Sequence, residues 1–113
     1  MNLNQLIIDN LTPLNIPVCF HKYEGDKSTY ITFFIYNEKG ELWADNDEKQ
    51  TSFYIQIDVW SKGNYSTLVD NVLILMKDAG FKRTYAIDLF DKESNIYHKS
   101  IRFNYTREVA ENE

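Results

Sequence analysis

The sequence predicts an α+β fold in which an antiparallel sheet of about five strands carries two helices on one face. Two segments, at 2–12 and 65–79, place apolar residues at helical spacing. Five further segments are rich in β-branched and aromatic residues. The resulting order is α-β-β-β-α-β-β. A chain of 113 residues is long enough for one domain with a single core, so we expect residues 1–113 to form a single domain.

The first predicted elements are a helix and a short strand. Apolar residues recur at helical spacing across 2–12, and Asn2 is of the residue type that caps helix N-termini. Pro13 disfavours continuation of the helix into the preceding residue. Pro17 then opens a predicted strand at about 18–23.

The segment 29–36 is the strongest strand prediction, because every residue in it is β-branched or aromatic. Its two sides are Ile31, Phe33 and Ile35 on one and Tyr30, Phe34 and Tyr36 on the other. A turn is predicted at 37–40. It opens an acidic segment at 37–50, which we expect to form a projecting hairpin or a long loop.

The middle of the chain predicts a strand followed by a helix. Apolar and polar residues alternate over 51–60, as in a half-buried strand. An apolar stripe over 65–79 predicts the second helix, with Asn64 as a candidate cap. Gly80 stands where a glycine often ends a helix.

The last part of the chain predicts a β-hairpin. Strands at 81–90 and 95–105 are joined by the polar residues 91–94. The remaining residues, 106–113, are mostly polar, and we expect them to form a loose tail.

Aromatic residues on the second side of the sheet are the candidate subunit contacts. Two helices cover only one face of a sheet, so the other face is expected to expose a larger apolar patch than a monomer usually shows. On the second helix, Ile74 lies opposite the apolar stripe. The candidate contact residues are Tyr30, Phe34, Tyr36, Tyr54, Trp60 and Ile74. The alternative is that the acidic segment folds back and covers this face within one chain.

Charge and composition limit the expected partners. Seventeen acids against 12 bases give a net charge of −5, which disfavours specific binding to nucleic acid because affinity for phosphates comes mostly from Lys and Arg. No run approaches the roughly 18 apolar residues of a membrane span, so we expect no membrane contact. We see no secretion signal, and a single cysteine, Cys19, fits a reducing cytosol.

We identify no motif for catalysis or for binding a metal or cofactor. Cys19 and His21 share a face of one predicted strand, but no acid is placed to orient the histidine. One cysteine and two histidines lack the paired spacing of a zinc site. Asp88, Asp91 and Glu93 surround a hairpin without the glycine and glutamate of a calcium loop. We therefore expect a protein that is not an enzyme and that needs no metal or cofactor.

Several short segments, in a fixed order, resemble those of a known family. They are 30–34 (YITFF), 44–46 (ADN), 54–65 (YIQIDVWSKGNY), 76–84 (MKDAGFKRT), 88–90 (DLF) and 96–99 (IYHK), with Arg102 and Phe103. In this pattern, over about residues 16–105, the chain resembles the small tail-completion proteins of long-tailed bacteriophages and prophages. These include tail terminators and head-to-tail joining proteins.

The resemblance implies a structural role in the virion. Such proteins form a ring, typically of six copies, that caps the tail tube and meets the head connector. The implied partners are further copies of the chain, the tail tube protein and the head connector or stopper protein. The implied locations are the virion and, during assembly, the bacterial cytoplasm. Rings of this kind can form on the tail alone, so a monomer in dilute solution is compatible with the role.

Acidic residues of the 37–50 segment are the candidates for the bore or an axial face of such a ring. A ring of six chains has a net charge of about −30, which repels the phosphates of passing DNA. The candidates are Glu38, Glu41, Asp45, Asp47 and Glu48. The alternative for these acids is a merely solvated hairpin. The alternative for the whole chain is a small intracellular protein- or peptide-binding module that uses the aromatic sheet face.

Overall fold

The computed structural model describes residues 2–109 and contains, within them, the two helices and five strands in the predicted order. The elements are α1 (Leu3–Leu11), β1 (Val18–Phe20), β2 (Tyr30–Ala44), β3 (Asp47–Ser61), α2 (Ser66–Asp78), β4 (Lys82–Asp91) and β5 (Ile96–Glu108). A short 3₁₀ turn, Thr12–Leu14, follows α1. The α+β class and the order α-β-β-β-α-β-β are therefore confirmed.

The five strands form one sheet in the order β1-β2-β3-β5-β4. All neighbours pair antiparallel except β1 and β2, which pair parallel through Ile31 to Phe33, so the sheet is mixed rather than purely antiparallel. The loop at 21–29 carries the chain back to the end of the sheet where β1 began. His21 has a φ of 67°, which ends β1 earlier than the predicted 18–23.

The core lies between the two helices and one face of the sheet. Its fully buried side chains come from both helices and from the three central strands. They are Ile7, Leu11, Ile31, Phe33, Ile55, Ile57, Val59, Val72, Met76, Ile101 and Phe103. Both helices thus cover the same face, which leaves the other face of the sheet without a helix.

The ends of the helices follow the signals in the sequence. The Asn2 carboxamide oxygen accepts hydrogen bonds from the backbone N–H groups of Asn4 and Gln5, at 2.8 and 3.3 Å. Gly80 adopts a φ of 96° and donates to the Lys77 carbonyl, while Phe81 donates to the Met76 carbonyl. These two bonds form a Schellman motif, so the predicted glycine cap of α2 is present.

Strands β2 and β3 are much longer than predicted. The turn expected at 37–40 is absent, because β2 continues through bulges after Ile35 and Gly40. The chain reverses at Asp45 and Asn46, whose φ values of 54° and 69° fit a two-residue type I′ turn. The acidic segment is therefore a hairpin, and it helps to extend the molecule to 52 Å.

The end of the chain corrects another expectation. Residues 106–108 are not a loose tail, because β5 continues to Glu108 and pairs there with Gln50 of β3. The Ser52 and Thr106 hydroxyls also share a hydrogen bond of 2.6 Å. The long β3 offers an edge on which these polar residues form a strand. Residues 110–113 of the expected tail lie outside the described residues.

Candidate interaction surfaces

The face of the sheet opposite the helices is the first candidate surface, and we call it the open face. It is formed by even-numbered residues of β3 and β5, which pair across the strands as Asp58 with Ser100 and Trp60 with His98. The acidic hairpin continues β2 and β3 as paired strands rather than folding back over this face. Within residues 2–109, the acidic segment therefore does not cover the open face, contrary to the alternative prediction.

An aromatic row crosses one end of the open face. Tyr23, Tyr30, Trp60 and His98 stack in sequence, with ring centroids 4.4, 5.9 and 3.9 Å apart. The Trp60 indole N–H also donates to the Thr32 hydroxyl at 3.0 Å. Each ring covers its neighbours, so Tyr30 and Trp60 are half-buried without any second chain.

A polar network fills the centre of the open face. The Asp58 carboxylate is buried, with 9% of its side chain exposed, and accepts hydrogen bonds from the Gln56 amide at 3.1 and 3.3 Å. Arg102 donates to Gln56 at 3.2 Å, and His98 Nε2 lies 3.8 Å from Asp58. This network was not predicted, although the alternation over 51–60 and 95–105 places its members on one side of the sheet.

The network does not have the geometry of a nucleophile activated by a base. Ser100 lies beside His98 on the same face and is buried, but no hydrogen bond joins its hydroxyl to the imidazole. Trp60 stacks over the imidazole at 3.9 Å, and His98 Nδ1 is buried without a partner among the described residues. The hydrogen bonds of this network satisfy most of the polar side-chain groups on a partly buried sheet face.

Five of the six candidate contact residues lie together on the open face. Phe34 stacks on His21 at 6.3 Å, and Tyr36 lies near Tyr54 with the Arg102 guanidinium 4.7 Å above its ring. These neighbours leave Tyr36 exposed at 40%, whereas Phe34 and Tyr54 are half-buried. The sixth residue, Ile74, is exposed on α2, away from this group.

The acidic residues lie on a projecting ribbon at the end of the β2–β3 hairpin. We call residues 41–49, which begin level with the last β3–β5 pair and extend beyond it, the arm. Glu38 lies at its base, and the arm carries the other four candidates, Glu41, Asp45, Asp47 and Glu48. Glu48 is half-buried and the rest are exposed.

The arm also exposes two apolar side chains, Leu42 at 50% and Trp43 at 60%. A Cβ built on Gly40 would lie 2.7 Å from the Trp43 ring, so the absence of a side chain at Gly40 lets the indole lie against the backbone. The Trp43 ring is therefore held at the surface of the arm in a defined place.

The outer strand β4 and its neighbour β5 expose an apolar strip that was not predicted from the sequence. The strip consists of residues that are 38 to 58% exposed. They are Tyr85, Ile87, Leu89 and Phe90 of β4 and Tyr97 of the neighbouring strand β5, which pairs with Phe90. Because β4 ends the sheet formed by residues 2–109, no strand of this part of the chain pairs with its outer backbone edge. Alternation over 81–90 indicates a strand, but it does not show that β4 is the edge strand of the sheet.

A hydrogen-bonded trio ties α2 to β4. The Tyr65 hydroxyl donates to Asp88 at 2.6 Å, and Lys99 donates to the other oxygen of the same carboxylate at 3.3 Å. Burial and the bond to Asp88 raise the pKa of Tyr65 to about 12. The same bond, together with Lys99, lowers the pKa of Asp88.

The residues considered for metal binding or catalysis do not come together. No group of three or more His, Cys, Asp or Glu within residues 2–109 is arranged to hold a metal ion. His21 lies beyond the end of β1, so it does not share a strand with Cys19 as predicted. Within the same residues, no helix has the length and apolar character needed to cross a membrane.

Comparison of the sequence with protein-family models gave no match, and comparison with curated proteins gave no significant match.

Proposed function

We propose that this chain is a structural assembly protein of the tail-completion type, which works as a ring of identical copies. The ring caps the tail tube of a long-tailed phage or prophage and joins it to the head connector. The resemblance of the sequence segments supports the viral setting. The exposed apolar strip on the edge strand β4 supports self-association, and this observation carries the proposal.

The strip on β4 is an unusual surface for a protein that stays alone. Natural proteins protect edge strands with charges, prolines or short lengths, because a free edge pairs readily with another strand. Here a ten-residue edge strand carries Ile87 and Leu89 exposed at its centre. Apolar patches of several such side chains mark interaction sites, and covering them contributes roughly 25 cal/mol per Å².

The two edges of the sheet differ, which favours a ring over a symmetric pair. One edge is β4. The other is β2, which β1 covers only from Ile31 to Phe33, so no strand among the described residues pairs with the outer side of β2 from Phe34 onward. Contact between unlike edges repeats head to tail and closes into a ring when the rotation per copy allows it.

The net charge supports a ring through which DNA passes. Six chains of −5 each make a strongly acidic ring, and such a surface repels phosphates rather than holding them.

The test is genetic and structural. Deleting the gene from its phage or prophage is expected to leave heads and tails unjoined in electron micrographs and to abolish infectivity. Complementation with the intact gene restores joined particles, and labelled protein is expected at the head–tail junction. Normal particles from the deletion strain would overturn the proposal.

A matched pair of variants tests the role of the edge strand. The double variant Ile87→Lys with Leu89→Lys is expected to fold, since both side chains are exposed, but not to restore joined particles. The control Glu93→Lys places a lysine in the turn of the same hairpin, outside the strip, and is expected to complement normally. Equal complementation by both variants would count against the edge strand as the contact.

A second candidate is a peptide-binding module, favoured by the same free edge of β4. An extended peptide can add to such an edge through backbone hydrogen bonds, with side-chain pockets on either face. If the chain is such a module, the protein is absent from purified particles and binds a peptide as a monomer. Labelling of the head–tail junction therefore distinguishes the two candidate functions.

A further inference from the structure

A groove with a basic rim lies where α2 ends and β4 begins. It has a volume of about 500 Å³. Its lining is Leu73, Lys77, Gly80, Phe81, Lys82, Arg83 and Phe103. The rings of Phe81 and Phe103 are buried beneath it, and the lining includes three bases and no acid. The groove therefore fits an apolar group that is flanked by negative charge.

The arm has the complementary character. It carries four acids and a single lysine, and it exposes Leu42 and Trp43 between those acids. Tryptophan is the side chain most typical of the buried anchors of interfaces, and acidic neighbours suit a basic rim. The arm therefore offers the two features that the groove lacks, an apolar anchor and negative charge.

The arm cannot reach the groove of its own chain. Phe103, in the groove, pairs with Ile55 of β3, which pairs in turn with Ile35 of β2. The turn at Asp45 and Asn46 lies eight or more residues further along these strands, roughly 25 Å at about 3.3 Å per residue. The occupant must come from elsewhere, and a second copy of the chain supplies a segment of the right charge.

We propose that the arm of one copy docks into the groove of the next copy, with Trp43 in the groove above the buried Phe81 and the arm acids beside Lys82 and Arg83. This inference rests on the proposed ring, for which it names the contact. The arm and the groove are unlike surfaces, and an edge-to-edge approach of successive copies makes the contact repeat head to tail. An antiparallel approach of the free edge of β2 to β4 of the next copy brings the arm to the start of β4, where the groove lies.

The inference gives the acids a different role from the one expected from sequence. In this arrangement Asp45, Asp47 and Glu48 face a neighbouring subunit rather than the bore. Charge reversal in the arm is therefore expected to impair assembly itself, before any DNA passes.

Cysteine cross-linking tests the contact between copies. In a Cys19→Ser background, chains carrying Asp45→Cys and chains carrying Arg83→Cys are mixed at high protein concentration and oxidised. We expect a disulfide-linked pair. The control replaces Arg83→Cys with Lys62→Cys, an exposed position after β3, and is expected to link roughly tenfold less or not at all. Equal linkage in the two mixtures, or none in either, overturns the inference.

A mixing experiment tests whether the arm of one copy binds the groove of another. Chains with Trp43→Ser retain the groove, and chains with Lys82→Glu and Arg83→Glu retain the arm. Each variant alone is expected to self-associate roughly thirtyfold more weakly than the wild-type protein, which is the effect of losing a hot-spot side chain. The mixture of the two variants is expected to form one-to-one pairs in sedimentation. Wild-type affinity in both variants overturns the inference. Because the deletion experiment tests joining of heads to tails, it can succeed while this contact fails.

Discussion

The two faces of the sheet are built from similar residue types but are sheltered in different ways. On the covered face, Ile31, Phe33 and Ile57 are fully buried beneath the helices. On the open face, Trp60 and Tyr30 are half-buried because they stack on each other and on neighbouring rings. An aromatic face therefore does not require a second chain to cover it, because stacking and a polar network shelter much of it.

The surplus apolar surface lies at the periphery instead. The strip on β4 and the arm expose more than Phe34 or Trp60 does, so the most exposed apolar side chains lie at the edges of the sheet rather than at the centre of its open face. The comparison of the two faces leads to three predictions, beginning with the largest expected effect.

Adjacent phenylalanines on opposite faces offer the sharpest test. Phe33→Ala is expected to lower the free energy of unfolding by about 3–5 kcal/mol, because it leaves a cavity in the core. Phe34→Ala is expected to cost about 1–2 kcal/mol, because the half-buried ring leaves no closed cavity. Urea denaturation of the two variants measures both, and equal losses would show that the two faces do not differ in this way.

The polar network is expected to have an intermediate effect. Asp58→Ala leaves the Gln56 amide without its acceptor in a buried setting and is expected to cost about 1–3 kcal/mol. Asp58→Asn keeps an acceptor oxygen of the same shape and serves as the control, with a smaller loss. A more stable Asp58→Ala protein in the same denaturation assay would mean that burying the carboxylate costs more than its bonds contribute.

The smallest expected effect depends on pH and lies at the edge of the covered face. Because the folded state raises the pKa of Tyr65 to about 12, the stabilisation by Tyr65 is present below pH 10 and lost as pH rises from 10 towards 12. The lowered pKa of Asp88 adds stability that is present above 3.8, its ordinary value, and lost as pH falls below it.

Tyr65→Phe removes the Tyr65 contribution and the part of the Asp88 contribution that comes from the Tyr65 hydroxyl, while Lys99 still pairs with Asp88. Since Asp88 is largely exposed, we expect the variant to lose only about 1 kcal/mol near neutral pH after solvent screening. The difference in the free energy of unfolding between this variant and the wild-type protein should shrink towards pH 12. A difference that stays constant between pH 7 and pH 12 would contradict the assignment.

Features that depend only on residues close together in the sequence were predicted correctly. Asn2 and Gly80 form the caps that their residue types indicate, and alternation over 51–60 placed Ile55 and Ile57 on the covered face. Asn64 is a partial case. Its side chain accepts from Ser66 as proposed, but Tyr65 occupies the cap position of α2.

Features that depend on distant pairing were not predictable in this way. The direction of β1 depends on the route of the loop at 21–29, and a strand of three residues contains no signal for parallel pairing. The residues after 105 look like a tail in sequence, and they form a strand because Thr106, Arg107 and Glu108 pair with residues 50–52 of β3. Asp58 and His98 meet across two strands that are far apart in the chain.

The run of β5 out to Glu108 has a practical consequence for handling the protein. Thr106 and Glu108 brace the root of the arm through Ser52 and Gln50, and the Val109 amide donates to the Lys49 carbonyl. Truncation before residue 106 would remove this brace from one side of the hairpin. Affinity tags and fluorescent fusions are therefore better attached at the amino terminus, where they leave the projecting ribbon untouched.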